Sequence, residues 1–280
     1  MIKVSCLVEN QSQKADLASE HGLSILIEIS GKKILFDTGA SGLFLKNAKK
    51  MGIKLEEVDL VVVSHGHHDH GGGLGSFFQI NHKAPVFMAK GADKKHFKIS
   101  DSSRTDISLD KDILGTYTDR IHFLNSPLEL KPGLYIITGI EQTHPAPNGN
   151  KLLFEKNGDE FLEDKFHHEL IMVLKDKGGL LVFTGCSHNG ILNMLDKVTY
   201  KFPDAFIKAV FGGFHLMLPP DPDSMAMNRT EVGKIGEKLL QMSLGMVFTG
   251  HCTGNKAYGV LKEVMGDKLQ YFSTGDVLRL

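Results

Sequence analysis

The chain has 280 residues, long enough to bury a substantial core as one large α/β domain or two small ones. Lys and Arg number 32 against 33 Asp and Glu, a formal net charge of −1, so nothing in the whole-molecule field favours a nucleic acid or an anionic membrane, and neither is expected as a partner. Three cysteines, Cys6, Cys186 and Cys252, include no CxxC pair, which is no disulfide framework and suits a reducing, cytoplasmic compartment.

The opening "MIKVSCLVEN" alternates like a strand and turns polar within ten residues, unlike the apolar core of an export signal. Strands are expected at Met1 to Val8, Ser24 to Glu28, Lys33 to Phe36, Leu60 to Val63 and Pro85 to Met88. Further along they are expected at Leu134 to Thr138, Glu169 to Leu174, Leu180 to Thr184, Phe206 to Val210 and Met246 to Thr249. Apolar runs such as "LVVV" end after four or five residues, far short of the roughly 18 that suggest a membrane span. A helix capped by Ser41 is expected to run to about Met51, where Gly52 stops it. Others fit Gly72 to Ile80, Gly190 to Val198, Arg229 to Met242 and Asn255 to Met265. The succession predicts an α/β chain of at least ten strands in two sheets. Residues 90–120 are polar and weakly periodic, either a surface excursion or a lid inserted in a single 1–280 domain, and the polar, proline-bearing 219–228 invites the same two readings.

"SHGHHDHGGG" at 64–73 holds four of the chain's 14 histidines and one aspartate directly after a buried-looking strand. His65, His67, Asp69 and His70 spell H-x-H-x-D-H. Imidazole and carboxylate are ligands for zinc, iron or manganese, and this spacing at a strand end aims them at two neighbouring points, which suggests a pair of metals. His68 occupies the unconstrained position. The glycines let the backbone turn tightly and a helix begin close by.

With "FDTG" at 36–39, "HGHHDH" at 65–70, "FTGCSH" at 183–188 and "TGHCTG" at 249–254, in that order, the chain resembles the metallo-β-lactamase superfamily over nearly its whole length. The resemblance implies a four-layer αββα sandwich with the metals at one edge. It implies His65 and His67 on a first metal, Asp69 and His70 on a second, His251 completing the second site, and Asp37 behind the ligands as an orienting carboxylate. Where many members carry a bridging aspartate, this chain has Cys186, with His188 two residues on; either can ligate, and His188 is favoured for the first metal with Cys186 nearby. Cys186 alone also reads as a small buried hydrophobe. His144, beside the two prolines of "EQTHPAP", reads as an ordinary loop histidine.

His215, after a strand and two glycines, and His21, before a strand, lie where the family keeps its active-site loops, each as a substrate or proton-transfer group or as a structural histidine. Arg104 is a weaker candidate for holding an anionic substrate. Narrower phrases, "EHGLSILIE", "GCSHNGI", "GGFHL" and "GHCTG", resemble the branch that includes archaeal dihydropterin–ribofuranosylaminobenzene phosphate synthases. The resemblance implies a metal-dependent hydrolase of a small-molecule ester, lactone or phosphoester, with one or two divalent ions, zinc by default. Asp69 would orient an attacking water and His215 would protonate the leaving group. A pterin-transferring synthase and a non-catalytic metal-binding protein are the alternatives.

Overall fold

Leu60–Val62 is an unbroken apolar run because both faces of this strand are buried, while Ile2–Val8 sets Lys3 and Ser5 among its apolar residues and keeps the alternation of a strand. The computed structural model describes residues 1–101, 103–219 and 221–280; Ser102 of the expected lid and Pro220 of the second polar segment lie outside the described residues. The chain is mixed α/β and divides into two units: Met1–Leu124 with Leu153–Asp164 and Phe272–Leu280, and Asn125–Leu152 with Lys165–Tyr271.

The first unit carries a seven-stranded sheet in the order Val277–Arg279, Ile2–Val8, Ser24–Ile29, Lys32–Phe36, Leu60–Val62, Val86–Ala89, Ile121–Leu124. Lys32–Phe36, Leu60–Val62 and Val86–Ala89 run parallel, so their carboxyl ends share one edge and Asp37, residues 64–70 and residues 90–96 all emerge there. Helices Leu43–Lys50 and Leu74–Ile80 bury Phe44, Phe77 and Phe78 in a core with Leu35, Val61 and Val86.

The second unit carries another seven-stranded sheet, in the order Leu269–Tyr271, Leu244–Thr249, Ile207–Phe211, Gly179–Phe183, Ile171–Asp176, Leu134–Ile137, Leu128–Lys131. Gly179–Phe183, Ile207–Phe211 and Leu244–Thr249 are parallel and bring residues 184–190, 212–217 and 250–254 to one edge. Helices Ile191–Lys201, Arg229–Gln241 and Asn255–Met265 contribute Leu195, Val232 and Leu261 to a core with Val182 and Val210. Asn228 and Glu231 close a reciprocal capping box on the second of these helices.

There are three sheets among the described residues, the third with four strands, Glu160–Glu163, Leu153–Asn157, Lys95–Ser100 and Ser103–Asp106. Residues 90–120 therefore hold two strands of that sheet and a helix, Lys111–Thr116, capped by Asp110. The helix expected from Gly72 is split into a turn at His68–Gly71 and a helix at Leu74–Ile80. Ser41 still accepts a bond from the Leu43 N–H at 3.1 Å, although the helix begins beyond it at Leu43. Glu169 precedes its strand, which starts at Ile171. Among the described residues no helix is long and apolar enough to cross a membrane.

Candidate functional site

In the first unit the buried Asp37 organises the H-x-H-x-D-H segment. Its Oδ1 accepts the Ser64 backbone N–H at 2.7 Å, and its Oδ2 accepts the Ser64 hydroxyl at 2.8 Å and His70 Nδ1 at 2.7 Å. The Ser64 proton goes to Asp37, so Ser64 Oγ accepts from His65 Nδ1 at 2.9 Å. Both rings are thereby held as the tautomer whose Nε2 carries the lone pair, the form that binds a metal. His65 Nε2 faces His67 Nδ1 at 3.1 Å, and His70 Nε2 stands 3.6 Å from Asp69 Oδ2. The structure brings Asp37, His65, His67, Asp69 and His70 together. Ser64, quoted in the motif but given no role, links the carboxylate to two of the histidines.

The segment's backbone is fastened on several sides. Thr38 N–H donates to the His70 carbonyl at 2.7 Å, Leu23 N–H to the Asp69 carbonyl at 3.1 Å, and His68 N–H to the Ile107 carbonyl at 2.7 Å. The glycines are required by space: a Cβ on Gly66 would meet the Ala92 carbonyl at 2.6 Å, and one on Gly72 the Ala40 carbonyl at 2.4 Å. Behind Gly66 lies a pair that the sequence reading missed, His96 Nδ1 and Asp164 Oδ2 at 2.9 Å, both buried. His67, His96 and Asp164 each offer a donor atom, and these atoms lie within 4.8 Å of one another. The pair spans 68 residues of chain, and each member sits in a polar run that reads as surface.

His21 Nε2 reaches Asp69 Oδ2 at 3.3 Å, while Asn10 lies 3.2 Å from His21 Nδ1. Arg104 is elsewhere: it is exposed on the edge strand Ser103–Asp106, its guanidinium 4.1 Å from the centre of the Phe161 ring.

In the second unit Cys186, His188, His215, His251 and Cys252 sit on the loops that follow the parallel strands, and all are buried. Asn150 Nδ2 donates to the His188 carbonyl at 2.7 Å, which turns its Oδ1 toward His188 Nδ1 at 3.1 Å and again leaves Nε2 with the lone pair. The Phe166 ring stacks on His188 at 4.3 Å, and the His215 ring tilts against it at 4.2 Å. Cys186 Sγ and a ring nitrogen of His251 lie within 4.8 Å of each other. Burial opposes ionisation of the Cys252 thiol, but the Cys186 hydrogen bond and the His251 and His215 rings beside it draw it well below the usual thiol range. His144 Nε2 pairs with Asp196 at 2.9 Å.

Glu169, also missed from the sequence, anchors the His188 loop. One carboxylate oxygen accepts the His188 N–H at 2.7 Å, and the other accepts the Asn189 N–H at 2.7 Å and Asn189 Nδ2 at 2.8 Å. Burial raises its pKa to about 7, outweighing those donors. Gln at this position offers one acceptor oxygen and turns an NH₂ toward the other donors. Glu169→Gln is expected to cost about 2–4 kcal/mol of stability in urea unfolding. A change under about 0.5 kcal/mol, the size usual for surface substitutions, would remove Glu169 as the anchor.

The metallo-beta-lactamase superfamily pattern matches residues 20–209, and the chain belongs to that superfamily, whose α/β fold it has. Over 295 aligned residues, 99% of this chain and 96% of the relative, it is 30% identical to 7,8-dihydropterin-6-methyl-4-(beta-D-ribofuranosyl)-aminobenzene-5'-phosphate synthase of Methanocaldococcus jannaschii. A crystal structure of a metal-dependent hydrolase of the beta-lactamase superfamily matches with a TM-score of 0.84 and 30% identity, covering 100% of this chain and 99% of that one. Zinc-bound PqqB from Methylobacterium extorquens, 13% identical with a TM-score of 0.60 over 99% of this chain and 100% of its own, shares the fold alone.

Proposed function

We propose that the chain is a metal-dependent hydrolase acting on an ester, lactone or phosphoester of a small molecule. The observation that carries this reading is the cluster of acceptors in the first unit, the buried His70 beside the half-buried Asp69. His70 Nε2 and Asp69 Oδ2 face each other at 3.6 Å with the imidazole tautomer fixed from behind by Asp37, an arrangement that a cation between such groups relieves. The donor chemistry fits zinc, iron or manganese, with zinc the default. His65, His67, Asp69 and His70 would hold one or two ions. Such an ion supplies Lewis acidity and brings the pKa of a water toward ~7.

The chain's own groups do the rest. Asp69 accepts a hydrogen bond from the attacking water and orients it. The part-exposed His21, in contact with Asp69 Oδ2 at 3.3 Å, carries the released proton to solvent or to the leaving group. That task suits His21 better than His215, which is 4% exposed. Ser64 and Asp37 keep the ligand rings aimed throughout.

A panel of esters, lactones and phosphoesters, offered to metal-reloaded protein, tests the reading. Turnover lost on chelation and regained with zinc, iron or manganese supports hydrolysis. The similarity to the archaeal synthase along almost the whole chain favours a second reading, transfer of a pterin from a diphosphate leaving group to an aromatic amine. A joined product without free hydrolysed pterin would select it over hydrolysis.

A further inference from the structure

Cys252 and His215 lie outside the H-x-H-x-D-H ligand pattern, yet they form a compact cluster with Cys186 in the second unit. One donor atom from each of the three lies within 4.8 Å of the others. The residues are 2%, 4% and 1% exposed for Cys186, His215 and Cys252. Neither ring nitrogen of His215 has a hydrogen-bond partner, although both are buried, and an imidazole enclosed in this way ordinarily finds one. Cys252 Sγ instead accepts the His215 backbone N–H at 3.2 Å, so main chain and side chain of His215 converge on the same sulfur.

The backbone around the cluster is held in costly conformations. Ser187, His215 and His251 have φ of +59°, +48° and +49°, in the left-handed region that non-glycine residues avoid. A Cβ on Gly213 would come within 2.4 Å of Cys252 Sγ. Strain gathered beside three soft donors marks a place where the fold maintains a geometry against local preference.

We propose that Cys186, His215 and Cys252 form a thiophilic metal site that takes a soft divalent ion such as zinc or cadmium through two thiolates and one imidazole. Two thiolates and a divalent ion sum to zero charge, which suits a site this deeply buried; a monovalent copper ion would leave one net negative charge there. Three protein ligands leave a fourth position open. Where the family resemblance implies a bridging carboxylate this chain carries Cys186, and in the second unit Cys186 belongs to a sulfur-rich cluster with Cys252 and His215.

The test is a titration of the full-length, reduced, metal-free protein with cadmium, followed by thiolate-to-cadmium charge-transfer absorption and cadmium NMR. The expected result is a saturable band with the intensity of two thiolates, halved in Cys252→Ser, retained in the His65→Ala/His67→Ala double variant, and shifted to about tenfold or more weaker binding in His215→Ala. Three results would overturn the proposal: no band in the unaltered protein, a full-strength band in Cys252→Ser, or loss of the band in the His65→Ala/His67→Ala variant with Cys252 intact. The last would mean that Cys186 serves only the superfamily's own site. Because turnover is not read, the outcome stands apart from that of the hydrolase proposal.

Discussion

Asp37→Ala is expected to weaken divalent-metal affinity by about 10–100-fold and to lower the stability of the metal-free protein by about 3 kcal/mol or more. The carboxylate is buried and accepts three hydrogen bonds, from the Ser64 N–H, the Ser64 hydroxyl and His70 Nδ1. Removing it strands those donors and frees both Ser64 and the His70 ring, so His65 and His70 lose the tautomers that aim Nε2 outward. Isothermal titration with zinc reads the first effect, and thermal unfolding without metal reads the second. Unchanged zinc affinity in a folded Asp37→Ala protein would show that the ligand rings do not depend on this carboxylate.

Gly73→Ala is expected to be among the most damaging single substitutions, costing about 3 kcal/mol or more. Its φ is −76°, open to any residue, so the requirement is space alone. A Cβ there would stand 2.2 Å from the Thr38 carbonyl and 2.7 Å from both the Ser41 carbonyl and Phe44 Cε1. Two of these are main-chain atoms beside Asp37 and at the head of helix Leu43–Lys50, which cannot move without carrying the site with them. Gly115, whose added Cβ meets nothing within 4 Å, is the matched control and should accept alanine at little cost. Urea unfolding of the two variants separates a packing requirement from a general intolerance of alanine.

The site was legible in the sequence where chemistry is local. Asp37 and the H-x-H-x-D-H segment announce themselves through residue type and position after a strand, and the structure brings those five residues together. What the sequence hid is what the fold brings from afar. Glu169 reads as the first residue of a strand, yet it sits before the strand and receives the backbone of His188 and Asn189, 19 and 20 residues on. Asn150 reaches His188 across 38 residues, and His96 meets Asp164 across 68. No periodicity encodes such pairings.

The same reason explains the missing sheet. Ser103–Asp106 is exposed at every position and Glu160–Glu163 at three of four, so neither shows the alternation by which a half-buried strand is recognised. Their pairing comes from the neighbours Lys95–Ser100 and Leu153–Asn157. Arg104, which sequence alone made a candidate for anion binding, spends its guanidinium on the Phe161 ring of that sheet, a partner 57 positions away that only the fold supplies. Cys186 reads in the sequence as a ligand or as a small buried hydrophobe; its neighbours Cys252 and His215 lie on two other loops, which sequence spacing does not bring together.

The most direct test of the account is the metal content of the purified, zinc-reloaded protein by elemental analysis, beside His67→Ala handled identically, with hydrolytic turnover measured on the same samples. The account predicts that His67→Ala loses at least one equivalent of metal and its turnover together, while remaining folded by circular dichroism. Full metal content with full turnover in His67→Ala would contradict it.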